Sequence, residues 1–231
     1  MDKIDPDIMK ILDSRKSEVY KAIKEFSIRN TDVILSGYPK SGTTWAQEMI
    51  WLIMNDLDYE GAKTFVDARV PIIEMSQYLF EDMPHSENFE CHSKSLEFVE
   101  KLKDPRFKDI LAGRQDHYWE HVLYFWERRN WPNVLFIKYE DMKNDLAQMI
   151  RKVATFLEKT LTENEVLELM KWLDFETMKN NAAVNHNSLY KKSGFIRSGK
   201  VGDHKKVMSD EVNKIFDSWI EENLKNTDYA L

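Results

Sequence analysis

The sequence predicts an α/β fold, a P-loop-containing parallel sheet flanked by helices, and three observations carry that prediction. Two short apolar runs, Val33-Ile34-Leu35 and Val134-Leu135-Phe136-Ile137, suit strands buried on both faces. The first runs through a turn bounded by Gly37 and Gly42 into residues 46–54, a helix-like pattern free of Pro and Gly. Farther along, strand and helix patterns keep alternating, the order of an α/β chain rather than of segregated layers.

Taken in order, the elements begin with an approach helix over residues 5–24, opened by Asp5-Pro6, and a strand at 33–35. Gly37 and Gly42 then have the GxxxxG spacing of a phosphate loop, where glycines let the backbone curl and point successive N–H groups at an anion. The helix behind the loop, predicted to reach about residue 55, adds the positive end of its dipole. Residues 56–90 read as irregular: Gly61, Pro71 and Pro84 interrupt aromatic and aliphatic groups such as Phe65, Ile72 and Tyr78. That mixture suits the wall of an apolar pocket or ordinary packing under a long loop. In a helix predicted over 118–129, Trp119, Val122, Leu123 and Trp126 recur at core-facing spacing. The strand at 134–137 leads into Tyr139-Glu140-Asp141, at the strand end where open α/β sheets place ligands. Helices follow at 146–157, 163–172 and 210–224, the last with Ser209 as its N-cap.

With 231 residues, 42% of them hydrophobic and 12% aromatic, the chain can bury one full core, and no linker or repeat divides it. A single domain over residues 1–231 is expected. Residues 1–20 are charged throughout and no apolar stretch nears the length of a membrane span, so a soluble, cytoplasmic protein is expected. The one cysteine, Cys91, has no partner for a disulfide or a zinc site, which suits a reducing compartment and no metal. A net charge of −7 argues against nucleic-acid binding over the whole surface. One local exception runs from 191 to 206, where lysines and Arg197 alternate with Gly194, Gly199 and Gly202. Three glycines so close together suit a backbone that approaches an anionic ligand, although a solvated basic loop has the same composition.

The phosphate loop carries its lysine in an unusual place. A GxxxxGK[ST] loop sets Lys on terminal phosphates and Ser/Thr on Mg²⁺, whereas here Thr43-Thr44 follow Gly42 and Lys40 lies inside the loop. A kinase or GTPase is therefore disfavoured. The string Tyr38-Pro39-Lys40-Ser41-Gly42-Thr43-Thr44-Trp45 resembles the 5′-phosphosulfate loop of the cytosolic sulfotransferases, which use 3′-phosphoadenosine 5′-phosphosulfate.

Other segments resemble that family in the right order, from about residue 30 to residue 220. Tyr139-Glu140-Asp141-Met142 is similar to a strand end whose Tyr contacts the adenine. The segment from Phe175 through Met178 to Asn181 is similar to one whose aromatic residue lies against the same base. Phe195-Ile196-Arg197-Ser198-Gly199-Lys200-Val201-Gly202-Asp203-His204-Lys205 resembles the RKGxxGDWK box that binds the 3′-phosphate. The resemblance implies a single α/β domain, a sulfuryl transfer to the hydroxyl of a small phenol, steroid or alcohol, and no metal. It implies Lys40 as the catalytic group that stabilises charge on the departing phosphate oxygen. Lys40, Ser41, Gly42, Thr43, Thr44, Trp45, Tyr139, Phe175, Met178, Phe195, Arg197, Ser198 and Gly199 are the implied donor-binding set.

The chain also departs from the family pattern. Ser198 replaces the box lysine and His204 its tryptophan. The family's dimer signature maps onto Lys205, Ser209-Asp210 and Lys214, whose charge is reversed, so that dimer is not inferred. The largest departure lies between Phe107 and Lys108, where several tens of residues of the family pattern have no counterpart. Missing with them are the Lys-Thr-His-Leu-Pro element that carries the general base, the Arg-Asn-Pro-Lys-Asp box and two sheet strands. None of the six histidines stands in the base's context, and no catalytic base is assigned. Losing such a base costs about 10²–10⁴ in rate. Two readings follow: a sulfotransferase acting on a small hydroxylated acceptor, or a shortened homologue that binds the nucleotide and catalyses nothing.

Overall fold

A computed structural model describes residues 29, 32–37, 41–70, 118–186, 196, 198–206 and 208–230. The approach helix at 5–24, Lys40, residues 71–90, Cys91, the junction of Phe107 with Lys108, Phe195 and Arg197 lie outside the described residues. Backbone contacts divide the chain into two units, residues 1–36 with 70–117 and residues 37–69 with 118–231. In the first, Asp32 is buried and accepts from the backbone N–H of Arg29 at 2.8 Å and from its Nε at 2.9 Å.

In the second unit α1 spans Thr43–Met54, α2 Val66–Arg69, α3 Tyr118–Glu127, α4 Tyr139–Asn144, α5 Leu146–Phe156, α6 Glu163–Trp172, α7 Phe175–Asn180 and α8 Asp210–Leu224. Short 3₁₀ turns occupy Gly61–Lys63 and Asp203–Lys206. Side-chain caps set several of the boundaries. Thr162 and Glu165 form a reciprocal capping box at the start of α6, Asp145 accepts from the N–H of Gln148 at α5, and Ser209 accepts from that of Val212 at α8.

The two predicted strands are a different matter. Among the described residues no β-strand occurs, at 33–35 or at 134–137. A strand exists only when a neighbour takes its N–H and C=O groups, and that pairing is a tertiary event that a local apolar pattern does not encode. The second run still alternates: Leu135 and Ile137 pack against the main core, while Phe136 lies edge-on to Trp126 at 5.4 Å. Tyr139, expected at a strand end, instead opens α4, because Lys138 takes the extended conformation of an N-cap, φ −96° and ψ 143°.

The core is an apolar layer between α1, α5 and α6. Met49, Leu52 and Ile53 of α1 meet Ile150 and Val153 of α5 and Val166 and Leu169 of α6, all at most 1% exposed. One carboxylate is buried among them. Glu48 is fully buried; its Oε2 accepts from Arg69 Nη2 at 2.6 Å and its Oε1 from Trp172 Nε1 at 2.8 Å. Arg69 in turn donates from Nε to the Thr64 carbonyl and stacks 4.4 Å from the centre of the Trp51 ring. A second, aromatic cluster joins α3 to the C-terminal segment. Trp126 Nε1 donates to Asp228 at 2.6 Å, Tyr229 packs on Trp126 at 4.9 Å, and burial pushes the Tyr229 hydroxyl up to about 12.

Replacing Glu48 with Ala leaves Arg69 buried and uncompensated, so a loss of about 3–5 kcal/mol in urea unfolding is expected. Trp172→Phe, which removes a single hydrogen bond to a charged group, should cost about 1.5–3 kcal/mol. A pH dependence is also expected from His121, which is 7% exposed and held below its ordinary imidazole value by burial. Its neutral form contributes stability that is present above about pH 6.5 and is lost as pH falls toward the lowered folded value. Thermal melting of wild type and His121→Leu between about pH 7 and 5 should therefore show a shallower decline in the variant.

Candidate functional site

The N-terminus of α1 is built as an anion pole. Gly42 is its N-cap in the left-handed region, φ 95° and ψ 14°, and its carbonyl accepts from both Trp45 N–H and Ala46 N–H at 3.0 and 3.1 Å. The first two N–H groups of the helix, those of Thr43 and Thr44, have no acceptor within it. Gly37 closes the other side of the turn: a Cβ there would stand 2.6 Å from the Thr43 hydroxyl.

Aromatic rings wall this pole. A Cβ on Gly42 would stand 2.7 Å from the Tyr139 ring, so only glycine allows the loop and α4 to approach so closely. Trp45 lies edge-on to Tyr139 at 5.7 Å, and its Nε1 donates to the Leu173 carbonyl at 2.9 Å. Burial, with the Glu140 carboxylate second, raises the Tyr139 hydroxyl above its usual range and keeps it protonated.

Two residues beyond Leu173, Phe175 opens α7, with Asp174 as its cap. Its ring lies against Gly199, which has φ +61°, and leaves no room there for a side chain. Beside Gly199, the Ser198 hydroxyl donates to Asp203 at 2.7 Å. Residues far apart in sequence thus meet in two groups, Gly42 and Trp45 with Tyr139 and Gly199 with Phe175, and the Trp45 bond to the Leu173 carbonyl, two residues before Phe175, brings the groups near each other. Ser41 is exposed next to Gly42, whereas Met178 is 4% exposed and belongs to the core behind Phe175. Lys40, Phe195 and Arg197 lie outside the described residues.

Two cations in this wall are absent from the residues singled out in the sequence. Lys143 Nζ stands 5.6 Å from the Trp45 ring centre and 6.0 Å from that of Phe175, and Lys179 Nζ stands 5.7 Å from Phe175. The signal for them was present: each lies four residues after an aromatic helix opener, Tyr139 or Phe175, and i, i+4 positions share a helix face. Free N–H groups, aromatic edges and ammonium groups together suit a flat, anionic ligand. Among the described residues no group of three or more His, Cys, Asp or Glu could hold a metal ion.

Comparison with known proteins gives this arrangement a family. The sulfotransferase domain matches residues 30–116 and 110–228, most of the chain. The chain belongs to the sulfotransferase family. The luciferin sulfotransferase of Photinus pyralis is 32% identical over 279 residues, covering 90% of this chain and 75% of the relative. An amine sulfotransferase of Oryctolagus cuniculus is 28% identical over 262 residues, 90% and 86% of the two chains. Both alignments are longer than the 231 residues of this chain, so these relatives carry residues without a counterpart here. Among solved structures, retinol dehydratase in complex with androsterone and the inactive cofactor PAP shares 28% identity at a TM-score of 0.72. The match covers 94% of this chain and 87% of that one.

The glycine contact gives a direct test. Gly199→Ala should cost about 1–3 kcal/mol, from a left-handed backbone and a displaced Phe175 ring. Combining it with Phe175→Ala should cost clearly less than the two single losses together, measured as a coupling energy in urea unfolding. Strict additivity would show that the ring does not exclude the side chain.

Proposed function

We propose that this chain moves a sulfuryl group from 3′-phosphoadenosine 5′-phosphosulfate to the hydroxyl of a small acceptor. The observation that carries the reading is the packing of the α1 N-terminus on Tyr139 and of Phe175 on Gly199, linked by the Trp45 bond to the Leu173 carbonyl, within a chain of this family. The fit rests on donor chemistry: two N–H groups at the α1 N-terminus have no helical acceptor and suit an anion, and glycines bring two aromatic rings against the backbone.

In this reading Ser41 to Thr44 hold the 5′-phosphosulfate, and Lys40 neutralises the phosphate oxygen that departs. Trp45 fixes the loop helix, Tyr139 and Phe175 flank the adenine, and Met178 backs the second ring. Phe195, Arg197, Ser198 and Gly199 take the 3′-phosphate. When bound, the donor supplies an activated sulfuryl group; the acceptor oxygen gains it and gives up a proton. One domain over residues 1–231, a parallel sheet short of two strands and a cytoplasmic location belong to the same proposal. So do a small hydroxylated acceptor and the absence of metal, nucleic-acid and membrane partners. Relatives named for luciferin and amine sulfation and a structural neighbour holding androsterone support a small acceptor.

A second reading is favoured by one specific feature. No histidine stands in the context of the family's base, and several tens of residues of the pattern are missing at Phe107-Lys108. A shortened homologue that binds the nucleotide without turning it over would look the same in its donor half.

Calorimetry with adenosine 3′,5′-bisphosphate, paired with donor turnover over a panel of phenols, separates the two. Sulfuryl transfer predicts binding that is lost in Lys40→Ala and turnover above background, reduced by about 10²–10⁴ for want of a base. Binding without any turnover would select the second reading, and no binding would overturn both.

A further inference from the structure

We propose that α8 is a docking helix whose exposed apolar stripe takes a basic amphipathic helix of a partner protein. Among the described residues α8 is the longest helix, 15 residues, and no residue of it is buried. Helices of that length are marginal in water by themselves, and in proteins most of their stability comes from packing an apolar face. Such a face is present. Val212, Ile215, Phe216 and Trp219 stand at i, i+3, i+4 and i+7 and so share one side of the helix. All four are exposed, Ile215 by 63% and Phe216 by 45%. The C-terminal end of the stripe is anchored: the Trp219 ring stands 5.5 Å from that of Trp119 and 5.9 Å from that of Tyr118. Toward Ser209 the stripe runs on in the open, and Met208, just ahead of the cap, is exposed as well.

Charge decides what fits there. The helix carries five acids against one lysine, a net charge of −4. Glu211 and Glu222 border the stripe, one turn from Ile215 and from Trp219, and among the described residues neither has a basic partner. Exposed acids elsewhere in this chain do find cations, as Glu163 finds Arg151 at 2.6 Å and Asp56 finds Lys159 at 2.7 Å. An acidic rim repels an anionic membrane or a nucleic acid and attracts lysine and arginine. It also disfavours a second α8 laid antiparallel on the first, because Glu211 of one would face Glu222 of the other. The complementary surface is a helix with aliphatic residues at the same spacing, rimmed by Lys or Arg, paired with α8 as in a two-stranded coiled coil.

The test is calorimetry of the full chain with two synthetic helical peptides. Both carry leucine at i, i+3, i+4 and i+7; one is rimmed by lysine and the other by glutamate. The lysine peptide should bind and the glutamate peptide should not. Ile215→Ala combined with Phe216→Ala should weaken the lysine peptide about tenfold or more. Glu211→Gln combined with Glu222→Gln should weaken it about two- to fivefold, a loss that disappears at high salt. The glutamine pair replaces exposed side chains, so it decides the matter even where melting shows that the alanine pair is unfolded. Equal binding of both peptides, no binding of either, or affinity untouched by the substitutions would overturn the proposal. So would self-association of the wild type that Ile215→Asp abolishes in sedimentation, or binding to phosphatidylserine vesicles that the same change removes.

Discussion

Two indole N–H groups hold the phosphate-loop helix in place. Trp45, three residues behind the N-cap of α1, donates to the carbonyl of Leu173, while Trp172 donates back to Glu48 on the same face of α1. The pair clamps one helix to the corner between α6 and α7, and the second bond ends on a carboxylate with no exposure at all. Such a carboxylate is tolerated only because Arg69 and Trp172 satisfy both its oxygens. From that clamp the rest follows. With α1 fixed, its N-cap Gly42 packs on the Tyr139 ring, and with the corner fixed, Phe175 meets Gly199. The Gly42–Tyr139 meeting would not survive a turn of α1 about its axis.

Legibility from sequence tracked the range of the interaction responsible. The helices at Glu163–Trp172 and Asp210–Leu224 were readable to the residue, because Thr162, Glu165 and Ser209 cap them through contacts three residues away. The apolar runs at 33–35 and 134–137 told of burial but not of pairing, and among the described residues neither is paired as a strand, since pairing depends on distant chain. Tyr139 shows the same limit: its residue type drew attention in the sequence, but its placement at a helix start came from the backbone of Lys138. Gly42 and Gly199 were legible as glycines that matter, yet the rings that make them necessary were not, being 97 and 24 residues away in sequence. The two lysines went unread because charge in a helix is usually solvated surface, and only the aromatic at i−4 distinguishes them.

The site is unevenly built. Its nucleotide side is assembled from short helices whose first residues do the contacting, with glycines where rings meet backbone. Such a wall depends on local caps and on the α1 clamp, both present among the described residues. The resemblance implies an acceptor side that depends on a base, and the sequence contains no counterpart of the family element that carries it. Binding and chemistry are separable in group transfer, since affinity comes from ring and charge contacts and rate from placing a proton acceptor at the reacting oxygen. A chain of this composition can keep the first while holding little of the second.

Hydrogen exchange of the full chain, with and without saturating adenosine 3′,5′-bisphosphate, addresses that division most directly. Slowed exchange at Thr43 and Thr44, across Phe175–Asn180 and at 198–200 is the expected result, with α8 unchanged. Unaltered exchange in all three segments, with protection elsewhere or nowhere, would contradict a nucleotide site built on the clamped helix.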